Sequence, residues 1–322
     1  MSRYIRNTVV LSKPETTAGT DSVPTGAANA MLVTEMNITP LDAKNIDRNL
    51  VRGYFGASEQ LVGPASVKAS FSVELAGSGT AGTPPAWGAL LLSCAAGEGV
   101  LSAPARVEYT PVSTGLKTST VNYYDDGVLH KLLGVMGNAQ LMAKVGDKSM
   151  LKFDVVGLDG GISVASAVAS LSAWKTPVAM TKANVIDITL GATYAAGAIT
   201  GGQVYPSTGL ELNFGNVVNF TPLLSSETVD ITDRQSSGTV ELDLTAAQEV
   251  ALMAIVKANT TQSVALTIGL TTGNKILIFL PAVQFTNPKK VDLNGKRLIG
   301  YDLRVVPTAA GTGNDEWRIV SL

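Results

Sequence analysis

The chain has 322 residues, room for about two domains at the usual ~150 residues each. A net charge of -2 without any cluster of Lys and Arg excludes a basic nucleic-acid surface, and 45% hydrophobic residues exclude general disorder. The single cysteine and single histidine exclude an intrachain disulfide and the usual zinc patterns.

Residues 1–30 are rich in Thr, Gly, Ala and Pro after a short apolar segment at 5–11, which predicts an extended N-terminal arm. They lack the apolar h-region of a signal peptide. The two long uncharged stretches, 76–97 and 188–210, are broken by Gly, Pro, Ser and Thr, so no membrane span is expected and the chain should be made in the cytoplasm. Residues 31–41 alternate as a strand and end at Thr39-Pro40. A long loop, 42–64, follows. It carries Asp47, Arg48, Arg52, Tyr54, Phe55 and Glu59, and a loop of this length in a compact domain is usually functional.

Val67, Ala69, Phe71, Val73 and Leu75 alternate with Lys68, Ser70, Ser72 and Glu74, the pattern of a strand with one buried face. Pro84-Pro85 opens a predicted helix over 86–96, stopped at Gly97. A short strand at 106–109 precedes two hairpins. The first turns at Asp125-Asp126-Gly127, joining 118–124 to 128–135; the second turns at Gly146-Asp147-Lys148, joining 139–145 to 150–156. The Gly-, Ala- and Ser-rich region 158–205 reads as a linker holding Trp174 and one strand candidate, 185–190.

The remainder, 206–322, follows the same order of elements as 31–157. Asn219-Phe220-Thr221-Pro222-Leu223 nearly repeats Asn37-Ile38-Thr39-Pro40-Leu41, and a shorter loop, 224–237, follows it. Thr239-Val240-Glu241-Leu242 matches Ser72-Val73-Glu74-Leu75. Thr245-Ala246-Ala247-Gln248 is a capping box for a helix reaching Ala258. A hairpin turns at Thr272-Gly273-Asn274, joining 264–270 to 275–280. Val283-Gln284-Phe285 matches Ala139-Gln140-Leu141, and Tyr301-Asp302-Leu303 matches Phe153-Asp154-Val155. The expected fold is mainly β (α+β), with two tandem β-sandwich or barrel units, each with a flanking helix, related by internal duplication. The expected divisions are an arm (1–30), a first domain (31–157), a linker (158–205) and a second domain (206–322).

Catalytic chemistry is sparse. His130 has no nucleophile motif around it, and Asp125-Asp126 is ordinary turn chemistry. Gly77-Ser78-Gly79-Thr80-Ala81-Gly82 matches GxGxxG between a strand and a helix. The strand alternates, however, Pro84-Pro85 intervenes, and no doubly wound order follows. No catalytic residue, metal or cofactor is expected. Exposed strand edges on two units favour a structural oligomer.

Residues 71–91, opening Phe71-Ser72-Val73-Glu74-Leu75 and running through Pro84-Pro85-Ala86-Trp87, resemble the major tail tube proteins of long-tailed bacteriophages. Tyr109-Thr110-Pro111, Tyr124-Asp125-Asp126-Gly127, His130-Lys131-Leu132-Leu133-Gly134 and Gly137-Asn138 extend the resemblance across 31–157, and it is weaker over 210–307. The resemblance implies that six tube units close into a ring around a DNA-wide, acidic lumen, and that rings stack into the tail tube. A chain with two units would build each ring as a pseudo-hexameric homotrimer. It implies assembly in the host cytoplasm, a virion location in the tail, and partners in tape-measure, tail-terminator and tail-tip proteins. Viral DNA would pass through the lumen without sequence-specific binding. The 42–64 loop is then the candidate ring-stacking loop. Two other readings remain at this stage: another virion or surface β-protein, such as a head decoration protein or adhesin, and a dinucleotide-binding enzyme.

Overall fold

The computed structural model describes residues 3–308 and 313–322. Strands β1 (Thr8–Pro14), β2 (Ala30–Met31), β3 (Val33–Ala43) and β4 (Ala65–Glu74) come first, the last two separated by the long loop. A short helix, α1 (Gly88–Leu92), leads to β5 (Ala96–Ser102) and β6 (Ala105–Pro111), then β7 (Ser119–Asp125), β8 (Val128–Lys144) and β9 (Met150–Val164). β10 (Val185–Ala195), β11 (Ala198–Val204), β12 (Ser207–Asn213), β13 (Asn216–Leu223), β14 (Ser226–Arg234) and β15 (Ser237–Leu242) follow. Helix α2 (Ala246–Lys257) precedes β16 (Gln262–Ile268), β17 (Ile276–Leu293), β18 (Lys296–Val305) and β19 (Arg318–Ser321).

Every pairing between these strands is antiparallel, and two sets share one order. The first runs β3–β4–β9–β8–β7–β1. The second runs β12–β15–β18–β17–β16–β10. The sets are joined because β12 also pairs with the distal part of β8, from Asn213↔Gln140 to Gly209↔Lys144. The result is a continuous eight-stranded run, β3–β4–β9–β8–β12–β15–β18–β17, which does not close on itself within one chain.

Local sequence accounts for these elements. On β4 the apolar Val67, Ala69, Phe71 and Val73 are buried while Lys68 is exposed, as a half-buried strand requires. The β7–β8 turn takes left-handed φ at Asp126 (42°) and Gly127 (92°), which matches the twist of a two-residue hairpin. Thr245 and Gln248 form the reciprocal capping box at the start of α2. Both sets feed one core. Phe71 and Phe153 lie 5.8 Å apart in the first set, and Phe285 meets Tyr301 edge-on at 5.5 Å in the second. Phe214 stacks on Trp317 at 4.2 Å, beside the β12–β13 bend.

Several expectations need correction. The arm is a strand over residues 8–14: Val10 and Leu11 are buried, and β1 pairs with β7 from Thr8↔Asp125 to Pro14↔Ser119. The linker region is largely sheet, since β9 reaches Val164 and β10–β11 span 185–204. The strand candidate 185–190 is the first part of β10, where Ile188 and Leu190 are buried, and the Gly content of 198–204 conceals β11. The short loop 224–237 is mostly β14, whose polar residues are exposed and therefore lack an apolar stripe. The helix over 86–96 shrinks to Gly88–Leu92, because left-handed Ala95 (φ 56°) ends it and β5 begins at Ala96.

The repeated pentapeptide also occupies two different levels. Asn37 lies on β3 opposite Ser70, whereas Asn219 lies on β13 opposite Asp230. If Val73 is matched to Val240, Ser70 falls level with Ser237, whose partner is Asn213 and not Asn219.

Candidate functional site

The chain carries two long protrusions, one from each edge hairpin. The first is the 44–64 loop between β3 and β4. Its base is closed by a two-way backbone bridge, Ile46 N–H to Leu61 O at 2.8 Å and Leu61 N–H to Ile46 O at 3.0 Å. Beyond that bridge, polar side chains hold the loop. Arg48 pairs with Glu59, Arg52 donates to the same carboxylate at 3.3 Å, and Gln60 donates to Asp47. The Arg52 guanidinium lies 5.9 Å from the Tyr54 ring centroid, within cation–π range. Asp47, Arg48, Arg52, Tyr54 and Glu59 are thus drawn into contacts inside the loop. Phe55 is not: it is 108% exposed, with Val51 beside it at 103%, and Leu50, Leu61 and Val62 are also exposed. Apolar side chains held outward on a braced loop are the mark of a partner surface.

The second protrusion is the β13–β14 hairpin, a full ladder from Asn216↔Arg234 to Leu223↔Ser226 with Leu223 and Leu224 exposed at its tip. Its base is anchored. The Asn216 side-chain amide donates to Cys94 O (2.8 Å) and Gly137 O (3.1 Å), and its backbone N–H donates to Asn138 Oδ1 at 3.0 Å. Arg234 donates to Glu316 at 2.9 Å and to Val112 O at 3.1 Å. From this base the hairpin lies against the first set, where Val218, Phe220 and Pro222 border grooves shared with Lys68, Asp154 and Val156. Sequence reasoning read its second strand as the loop 224–237, because β14 lacks an apolar stripe.

The eight-stranded run has an apolar face toward the core and a polar face opposite. Alternation places Lys152 and Asp154 of β9, Lys144 of β8, Glu211 of β12 and Asp302 of β18 on the polar face. Three ion pairs lie there, Lys144 with Glu211 at 2.6 Å, Lys152 with Asp154 at 3.9 Å and Lys289 with Asp302 at 3.6 Å, while Arg304 of β18 and Glu241 of β15 stand on the same face outside any ion pair among the described residues. The side-chain bond and charge of Lys144, against a smaller opposing effect of burial, hold the Glu211 carboxyl below its ordinary range.

The remaining sequence candidates have structural roles. Gly77 N–H donates to Asn274 Oδ1 at 2.9 Å and Gly79 N–H to Gly273 O at 2.8 Å. A Cβ on Gly77 would meet Gly273 O at 2.2 Å. The GxGxxG segment is therefore a close-packed clasp between two turns, and both donors are used. Asp125 pairs with Arg3, and Asp126 accepts from Tyr4 N–H (2.7 Å) and Asn7 Nδ2 (3.0 Å), so the acidic turn fastens the N-terminal segment. Burial lowers the His130 pKa, and its ring lies 5.9 Å from Tyr123. Burial pushes the Cys94 thiol far up, leaving it inert. Among the described residues no cluster of three His, Cys, Asp or Glu could hold a metal, and no helix is long and apolar enough to cross a membrane.

No curated protein matches the chain. The sequence profile of one family, described as phage tail tube protein, matches residues 5–309. The chain therefore belongs to the phage tail tube protein family, whose members are structural, non-enzymatic components of the virion tail.

Proposed function

We propose that this protein assembles into closed rings of three copies, that the rings stack into a tube, and that the tube conducts viral DNA. The observation that carries the reading is the eight-stranded run, whose ends leave, among the described residues, an unpaired edge along β3 and along β17 past Val283. Such edges are stable in an isolated protein only if protected, and closure between copies removes them. The shared pairing order of the two sets supports an origin in internal duplication, so three chains would supply six equivalent sectors.

The polar face of the run is the natural lining of the lumen. Three of its cations, Lys144, Lys152 and Lys289, are paired with carboxylates, so it offers phosphates few free cations beyond Arg304 and DNA would slide past it. The resemblance implied an acidic lining; internal neutrality achieves the same lack of adhesion. The 44–64 loop, with Phe55 and Val51 outward and Asp47, Arg48, Arg52, Tyr54 and Glu59 bracing it, is the ring-stacking element. Tape-measure, tail-terminator and tail-tip proteins are the expected partners, with assembly in the host cytoplasm.

Electron microscopy of concentrated protein tests the reading. Threefold rings and stacked tubes are expected. Persistent monomers, even with tail assembly partners added, would overturn it, and isolated trimers that never stack would point to a decoration protein. Deleting the 42–64 loop should leave rings that do not stack; normal stacking would remove the loop from this role.

A further inference from the structure

Within the chain, β12 fills the edge of β8 beyond the end of β7. On β8 that edge is taken by β7 as far as Ser119↔Val135, and by β12 from Asn213↔Gln140 onward; β9 lies on the opposite edge throughout. The counterpart of β8 in the second set is β17. There β16 covers the same edge only as far as Gln262↔Val283, with β18 opposite from Val283↔Val305 onward. Past Val283 the β16-side edge of β17 pairs with no strand among the described residues, and Asn287, Pro288, Lys289 and Lys290 are exposed. The counterpart of β12 is β3. It pairs with β4 on one edge and with no described strand on the other. One filled joint inside the chain thus has two unfilled halves at its ends.

Resting on the ring reading above, we infer that β3 of one copy adds to the open edge of β17 in the next copy, in the antiparallel register that β12 uses on β8. The register follows from the pairings. Asn213 is level with Ser237, and Asn37 with Ser70, when Val240 is matched to Val73. In the same frame Gln140, opposite Lys152, corresponds to Thr286, opposite Asp302. Asn213 pairs with Gln140, so Asn37 faces Thr286 of the neighbouring copy and Val33–Thr34 face Lys289–Lys290. Side chains agree. The inward Leu210 and Leu212 of β12 correspond to Val33 and Met36 of β3, which already pack against the core. Across the filled joint Lys144 pairs with Glu211; across the open one Glu35 of β3 comes level with the exposed Lys289, which within the chain shares only Asp302, while Lys290 is turned to Glu249 of α2. Pro288, in the bulge between Thr286 and Lys289, removes one donor, so the ladder is carried by the residues on either side of it.

The test is a cysteine pair, Asn37→Cys on one chain and Thr286→Cys on another, mixed under mild oxidation. Within one chain the two positions lie seven strand spacings apart, roughly 34 Å at ~4.8 Å each, so only an intermolecular bond can form. Cys94 is fully buried and gives no background. The mixed variants should give a covalent dimer on non-reducing gels, and the double variant in one chain should give mainly covalent trimer, while either single variant alone gives monomer. A second pair two residues out of register, Asn37→Cys with Gln284→Cys, should cross-link at least several-fold less. Rings in the microscope without the cross-link would overturn this edge assignment and leave the ring reading intact. Cross-linked dimers without rings would support the edge pairing and overturn ring closure. Neither assembly nor cross-link would overturn both.

Discussion

The two protrusions differ in what holds them. The β13–β14 hairpin is a ladder with one bulge near its base, rooted in buried hydrogen bonds, and it lies on the chain's own first set. The 44–64 loop has a single bridge at its base, ion pairs above it, and apolar side chains with nothing to cover them. Backbone ladders and buried bonds fix the element whose partner is always present. Exposed ion pairs, each worth little on its own, shape the loop proposed above to stack rings. The same asymmetry separates the filled joint at β8 from the open one at β17.

Breaking the anchored hairpin should cost most. Arg234→Ala strands Glu316 in a nearly buried pair and should lower stability by about 3–5 kcal/mol, read from urea unfolding. Unchanged stability would show that the hairpin is not anchored there. Asn216→Ala leaves the Cys94 and Gly137 carbonyls without their buried donor and should cost about 1–3 kcal/mol in the same assay.

A third measurement concerns Glu108 on β6, where that strand meets β19 and the Tyr194 end of β10. Burial alone would raise its pKa. Bonds from Tyr194 and Arg106 and the charge of Arg318 outweigh that and hold it below the ordinary 4.5. A depressed carboxylate stabilises the fold above the ordinary value, and its contribution disappears as pH falls through the folded value. Stability should therefore drop as pH falls below about 4.5, and Glu108→Gln should flatten that limb while lowering the plateau. An unchanged acid limb would remove Glu108 from this role.

Changes in the waiting loop should barely register on stability. Glu59→Gln should cost no more than ~1 kcal/mol, since its ion pairs are exposed. Phe55→Ser should move unfolding by less than ~0.5 kcal/mol yet raise the concentration needed for tube formation several-fold, read by sedimentation. Equal effects on unfolding and stacking would erase the contrast between the two protrusions.

Much of this was legible in the sequence. Alternation located β4, β8 and β9, Asp-Gly chemistry located the β7–β8 turn, and Thr245 with Gln248 fixed the start of α2. What failed was register. Val73 pairs with Leu151 and Val240 with Tyr301, so matching Phe153 to Tyr301 sets the strands two residues out of step. Side chains repeat every two residues, so such a slip keeps every apolar residue on the same face and leaves no trace in the pattern. β14 and β11 were hidden for other reasons, one lacking an apolar stripe and the other diluted with Gly and Ala. The loop was legible as a loop with six candidate residues. That four of them engage one another, Asp47 engages Gln60 and Phe55 stands free depends on three-dimensional reach, which spacing does not encode.

The placement of β19 sets a kinetic condition on all this. It pairs with β6 on one side and β17 on the other, and its Arg318 reaches Glu108, 210 residues away in sequence. Contacts this distant are slow to form, because a large loop entropy must be lost before they reward the chain. Until β19 docks, the flanking edges of β6 and β17 stand bare together with the edges meant for neighbours, and a nascent chain could polymerise through the wrong ones. On the ring reading proposed above, ordered assembly requires chains to finish folding faster than they meet one another, which favours slow supply and low concentration during synthesis.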